Sequence, residues 1–347
     1  MNFQELFGTT LPIIQAPMAG VQGAKLAVAV ANSGGLGSLP CAMLDAEGLL
    51  RELTTLQTKT QKPYNVNFFC HKQPKADEDR EARWRETLLP YFQELGVDPK
   101  TIVSGPGRFP FSHDSADVLE KFKPNVVSFH FGLPEPDLVA RVKNWGSKVV
   151  SSATSVEEAW WLQEQGVDAI IAQGLEAGGH RGMFLTKNIS TQVGTMALVP
   201  QIVAAVSIPV IAAGGIADAA GVSAAMRLGA IGVQAGTAFL LCHEATTSSV
   251  HRAALNSPQA RETALTNLFS GRPARGIVNR IMREKGLMST NVPDFPFAPA
   301  ALAPLRACAE ASGNGDFSPL WAGQNASNCK AVSASDIVRE LMAFDPL

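Results

Sequence analysis

Eight short apolar runs constrain the fold of this chain more than any other feature of it. They lie at 12–16, 36–39, 64–68, 125–129, 148–152, 168–172, 208–212 and 230–234. Most gaps between them hold a stretch of helical composition: 24–32, 46–56, 135–144, 156–165, 195–205 and 219–228. Strand-length runs alternating with helices imply parallel pairing, because a parallel connection needs a crossover long enough to hold a helix. Eight such units close economically into a (β/α)8 barrel, which takes about 250 residues. The 347 residues present leave room for an appendage. We therefore expect an α/β protein with residues 1–242 as a TIM barrel. Residues 243–347 are expected to form a small, mostly helical region over the C-terminal face, with helices at 244–255, 259–268 and 277–285, its end returning to the barrel. Residues 70–124 read as a long third crossover with a charged helix at 77–95. Its Gly/Pro segment at 104–111 either covers the barrel mouth, bringing Phe109 and Phe111 to a ligand, or packs as a surface excursion.

In a barrel of this kind the chemistry lies at the C-terminal ends of the strands. The sixth run leads into Gln173-Gly174-Leu175-Glu176-Ala177-Gly178-Gly179-His180-Arg181-Gly182. A glycine-dense turn lets backbone approach a ligand, and a histidine there trades protons near neutral pH. The seventh and eighth runs lead into Gly214-Gly215 and into Gln234-Ala235-Gly236-Thr237, with a helix between them that Asp218 can cap. Turns in these positions hold a phosphate on bare N–H groups.

Other strand ends add candidates. The first gives Gln15-Ala16-Pro17-Met18-Ala19-Gly20, in which proline stiffens the turn and Met18 offers a soft surface to a flat ring. The third ends in Asn65-Val66-Asn67-Phe68-Phe69, where Asn67 offers both a donor and an acceptor. The fourth ends in Ser128-Phe129-His130-Phe131-Gly132 and brings a second histidine to the same face. Near the C-terminus, Pro319-Leu320-Trp321-Ala322-Gly323-Gln324 places a tryptophan and an amide in a glycine turn.

Charge is nearly balanced, at −2, with no basic stripe or tail that would argue for nucleic acid. The apolar runs fall well short of the roughly 18 residues of a membrane-spanning helix, and the N-terminus lacks a charged-then-apolar leader. The chain reads as soluble and cytoplasmic. Its five cysteines, Cys41, Cys70, Cys242, Cys308 and Cys329, follow no CxxC spacing and suggest neither a disulfide framework nor a metal site. Cys41 and Cys70 lie near strand ends but read chiefly as small buried hydrophobes.

Together these elements resemble the class I nitronate monooxygenases, the FMN enzymes also known as 2-nitropropane dioxygenases. The resemblance runs from the Gln-Ala-Pro-Met turn at 15 to the Trp-Ala-Gly-Gln turn at 321. Its most specific part is the ten-residue Gly-Gly-His stretch, backed by Asn-Phe-Phe at 67. It implies FMN held non-covalently, and alkyl nitronates such as propionate 3-nitronate oxidised by O2 to a carbonyl compound and nitrite without NAD(P)H. It also implies that Asn67, Gln173 and Gly178 contact the flavin, and that Gly215 and Gln234, Ala235, Gly236 and Thr237 hold its phosphate. Pro17, Met18, Ala19, Gly179, Gly214 and Gln324 complete the cofactor-binding candidates. His180 matches the family's catalytic base, and His130 is a second catalytic candidate. Tyrosines described near the substrate in some bacterial members have no counterpart here, since only Tyr64 and Tyr91 are present. Phe109, Phe111 and the 292–306 segment are the candidates to replace them. A homodimer is left open.

The nearest rival reading is an FMN-dependent enoyl-acyl-carrier-protein reductase, with a similar barrel and Glu-Ala-Gly-Gly-His turn but a hydride from NAD(P)H. More distant are a flavin-free phosphate-ester barrel enzyme and a non-catalytic FMN-binding protein. The Leu-Trp-Ala-Gly-Gln and Asn-Phe-Phe turns favour the monooxygenase.

Overall fold

The computed structural model describes residues 1–102 and 108–343. Eight parallel strands form a nearly closed barrel: Ile13–Gln15, Gly37–Pro40, Tyr64–Phe69, Val126–His130, Lys148–Ala153, Ala169–Gln173, Val210–Ala213 and Gly232–Ala235. In space they run in the order first, eighth, seventh, sixth, fifth, fourth, third, second. A bridge between Ile14 and Leu36 brings the ends of the sheet together. All eight coincide with the runs expected from sequence, to within a few residues.

The strands read as continuous apolar runs because both of their faces are covered. Tyr64–Phe69 is buried at every position, as parallel strands packed between a barrel interior and outer helices must be. The crossover helices start where the chain supplies caps. Asp45 accepts from the Gly48 N–H, Ser155 from Glu158 and Asp218 from Gly221, each satisfying a donor that the first helical turn leaves open.

The long third crossover carries the helix Glu78–Glu94. Its Trp84, Leu88, Tyr91 and Phe92 share an apolar core with Leu268, Ile281, Leu302 and Phe317 from beyond the eighth strand. That core lies apart from the barrel's own. The last helix, Ala334–Leu341, returns to the barrel and buries Ile337, Val338 and Leu341 there.

Two expectations for the C-terminal part give way. The 259–268 segment is not a helix: after a short 3-10 turn, Pro258–Arg261, it becomes the strand Thr263–Thr266. The beginning of 277–285 belongs to a second strand, Ala274–Ile277, and the helix there is only Arg280–Lys285. The two strands pair antiparallel, and the second pairs in turn with Gly179–His180. Long-range pairing to the histidine turn thus overrides local composition. Phe111 is buried between Phe68 and Phe129, at ring separations of 4.8 and 5.3 Å, whereas Phe109 is exposed. Neither lines the cavity described below. The rest of the 104–111 segment, through residue 107, lies outside the described residues.

Candidate active site

The glycine turns meet in one cavity at the C-terminal mouth of the barrel. It is lined by Pro17, Met18, Ala19, Asn67, Gln173, Gly178, Gly179, Gly214, Gly215, Gln234, Ala235, Gly236 and Thr237, and by His130 and His180. Gln324 is the one candidate outside it. Its side chain is exposed and its N–H donates to the Glu176 carbonyl (3.0 Å). The neighbouring Asn325 lines the cavity instead, and its Nδ2 donates to the Gly215 carbonyl (3.1 Å).

The His180 turn is held from several sides. Arg181 is fully buried; its guanidinium donates to the carbonyls of Gln173 and Gly174 (both 2.7 Å) and to Gln192 Oε1 (2.8 Å). Gln173 Nε2 donates to the His180 carbonyl (3.0 Å), and its Oε1 accepts from the Gly182 N–H (2.7 Å). Buried Glu158 accepts from the Phe184 N–H (2.6 Å) just beyond. Gly178 has to be glycine, because a Cβ would stand 2.5 Å from the Gly323 nitrogen. Gly179 has φ +69°, and a Cβ there would meet nothing within 4 Å. The backbone therefore presents a bare, open face beside the cavity.

Each histidine has a defined proton. His130 Nε2 faces the His180 carbonyl (3.2 Å) and must donate to it, so its Nδ1 accepts from the Ser152 hydroxyl (3.0 Å). Both of its nitrogens are committed. The Ser270 hydroxyl donates to the Arg272 carbonyl (3.2 Å), so His180 Nε2 donates to Ser270 Oγ (2.9 Å). That fixes the tautomer. His180 Nδ1 carries the lone pair and has no hydrogen-bond partner among the described residues.

Burial holds His130 at about 4 and His180 well below its ordinary 6.5. The charges that add to the effect on His180 are those of Arg108, His130, Arg272 and His71. His180 is therefore neutral at pH 7, the form a base requires. Around it stand the rings of Phe69, Phe131, Phe295 and Trp321, with centroids 5.5–6.0 Å away. Burial raises the Cys41 and Cys70 thiols above their usual range and keeps them protonated.

Sequence reasoning did not single out Arg108, His251 or Ser270. Arg108 and His251 line the cavity, and Ser270 sets the tautomer of His180. Arg108 lies in the Gly/Pro segment at 104–111, of which only Phe109 and Phe111 were candidates, and His251 and Ser270 come from distant segments with no motif to mark them. Among the described residues no group of three or more His, Cys, Asp or Glu could hold a metal ion, and no helix is long and apolar enough to cross a membrane.

The family model for nitronate monooxygenase matches residues 2–343. A nitronate monooxygenase of Pseudomonas aeruginosa is 43% identical over 98% of both chains. The chain belongs to the nitronate monooxygenase family. Among solved structures, the nitroalkane oxidase of Streptomyces ansochromogenes superposes on this family member with a TM-score of 0.88 at 36% identity, covering 98% of this chain and 96% of the other. FabK from Thermotoga maritima is less similar, at a TM-score of 0.72 and 26% identity over 98% and 94%. Nitronate monooxygenases are flavin-dependent, so the cavity of this member has to be weighed as a flavin site.

Proposed function

We propose that the protein oxidises alkyl nitronates, propionate 3-nitronate among them, with O2 on a bound FMN. The products are a carbonyl compound and nitrite, and no nicotinamide cofactor takes part. The observation that carries this reading is the neutral His180, its lone pair uncommitted, beside a cavity of bare backbone. A mere FMN-binding protein has no need of so prepared a base.

The residues present suit FMN. The N–H groups of Gly215 and Gly236 find no acceptor among the described residues, which leaves them for a phosphate. Gln234 Oε1 and His251 Nε2 are buried in the same cavity without partners; such groups are costly unless a ligand satisfies them. Gly215, Gly236 and Thr237 would hold the phosphate, while Asn67, Met18 and Gly179 would border the ring. No Gly-x-Gly-x-x-Gly dinucleotide fingerprint follows a strand, which argues for the mononucleotide over FAD.

Bound FMN would supply the electron acceptance; a nitronate, already an electron-rich carbanion, needs little else. The chain's own residues position and deprotonate. His180 Nδ1 can take the α-proton of a neutral nitroalkane, and the Ser270 contact keeps Nδ1 the acceptor. The aromatic wall excludes water from the reacting carbon.

The purified protein is expected to carry stoichiometric FMN by mass analysis and to release nitrite from propionate 3-nitronate in air without NAD(P)H. Stoichiometric FAD or an absence of flavin would contradict the cofactor assignment. Gly215→Asp adds a carboxylate next to the N–H proposed to hold the phosphate and against Glu176, and Gly215→Ala serves as its control because both variants strain a backbone at φ +71° and meet Glu176 Cβ at 3.2 Å. Flavin content should fall far more in the Asp variant. Equal content in the two would place the phosphate elsewhere.

A further inference from the structure

Among the described residues Arg108 has no ion-pair partner. It lines the cavity beside His180, and no Asp or Glu joins it in that lining. Its guanidinium makes no hydrogen bond or ion pair among the described residues; only its carbonyl is used, by Gln73 (3.1 Å). The guanidinium lies 5.7 Å from the centre of the Phe295 ring, and that ring is 5.5 Å from His180. Phe295 thus neighbours both the base and the cation, which face the same cavity. Arg108 also borders a neighbouring depression lined by Phe68, Phe109 and Phe297 and by Asp45 and Glu81, neither of which forms an ion pair with it, so it sits on the wall between the two.

A guanidinium stays charged in a protein and presents a planar fork that matches a carboxylate. Holding it partly desolvated with no counter-charge opposes folding unless an anion returns to it. The nitronate itself belongs at His180, in the same cavity.

We propose that Arg108 is the specificity-determining residue that binds a second anionic group, a carboxylate at the far end of a short-chain nitronate, and so selects doubly charged substrates over plain alkyl nitronates. This rests on the nitronate-oxidising reading above. It also accounts for the missing tyrosines: a substrate pocket built around a fixed cation does not need phenolic donors for its anionic end.

The test compares wild type, Arg108→Met and Arg108→Lys, all with flavin content measured. Arg108→Met should lower kcat/KM for propionate 3-nitronate about 10–100-fold more than for propyl-1-nitronate, as loss of a charge-assisted hydrogen bond does. The change should fall mainly in KM, and Arg108→Lys should recover part of it. Calorimetric titration of the holoenzymes with succinate, an unreactive dicarboxylate, should show the same weakening in Arg108→Met. Equal losses on both nitronates, losses on neither, or unaltered or undetectable succinate binding would overturn the proposal. If wild type turns over neither nitronate while succinate binding still depends on Arg108, the nitronate reading fails and the anion-binding role stands.

Discussion

Replacing His180 with Asn is expected to cut kcat/KM for a neutral nitroalkane by about 10²–10⁴-fold, the usual contribution of a positioned general base. The loss on a pre-formed nitronate should be much smaller, because that substrate has no proton to give up. FMN should be retained, since the residues proposed to hold the phosphate are backbone groups of other turns. Nothing charged is lost at pH 7: burial and the cations around His180 keep its imidazole neutral well below the ordinary 6.5. The sign of the pH dependence follows. A lowered pKa keeps the base form populated as pH falls, so kcat/KM for the nitroalkane should be flat around pH 7 and decline only below 6.5. Equal losses on both substrates would make His180 an anion-positioning group. No loss on either would remove it from the mechanism.

Arg181→Met should damage the protein more broadly. Arg181 is 0% exposed, and its fork satisfies the Gln173 and Gly174 carbonyls together with Gln192 Oε1. Methionine fills the volume of the stem but donates nothing. Each buried acceptor left open costs about 1–3 kcal/mol, so a loss of about 3 kcal/mol or more is expected. That is a large share of the roughly 5–15 kcal/mol that holds a folded protein together. Burial, with the charge of Arg275 adding to it, brings the guanidinium down to about 9, against the opposing pull of Glu176 and Glu158. The urea midpoint should drop, and the flavin should be lost at lower denaturant than in wild type. A shift under about 1 kcal/mol would show that the turn does not depend on this fork.

The barrel was legible because its signals are local. Buried parallel strands such as Val126–His130 and capped helices such as Ala219–Arg227 are written in contiguous residues. The glycine turns were legible for the same reason. What sequence could not show came from contacts across the chain. Thr263–Thr266 reads as part of a helix until its partner Ala274–Ile277 is known, and that strand is fixed by pairing to Gly179–His180. Ser270 reaches His180 from 90 positions away. Asn325 and Gln324 have similar side chains one residue apart, and only the turn's geometry decides which faces inward. By composition, Phe111 and the 292–306 segment were both candidates to face the pocket. The third crossover buries Phe111 against Phe129, while the 292–306 segment brings Phe295 to the base.

The central claim is that electrons enter this site from a nitronate and not from a nicotinamide. It is tested by mixing the purified holoprotein, without air, with propionate 3-nitronate and separately with NADH or NADPH. The nitronate alone should remove the visible absorbance of the bound flavin, and the nicotinamides should leave it unchanged. Rapid reduction by NADH or NADPH with no response to the nitronate would contradict it and return the protein to the enoyl-reductase reading.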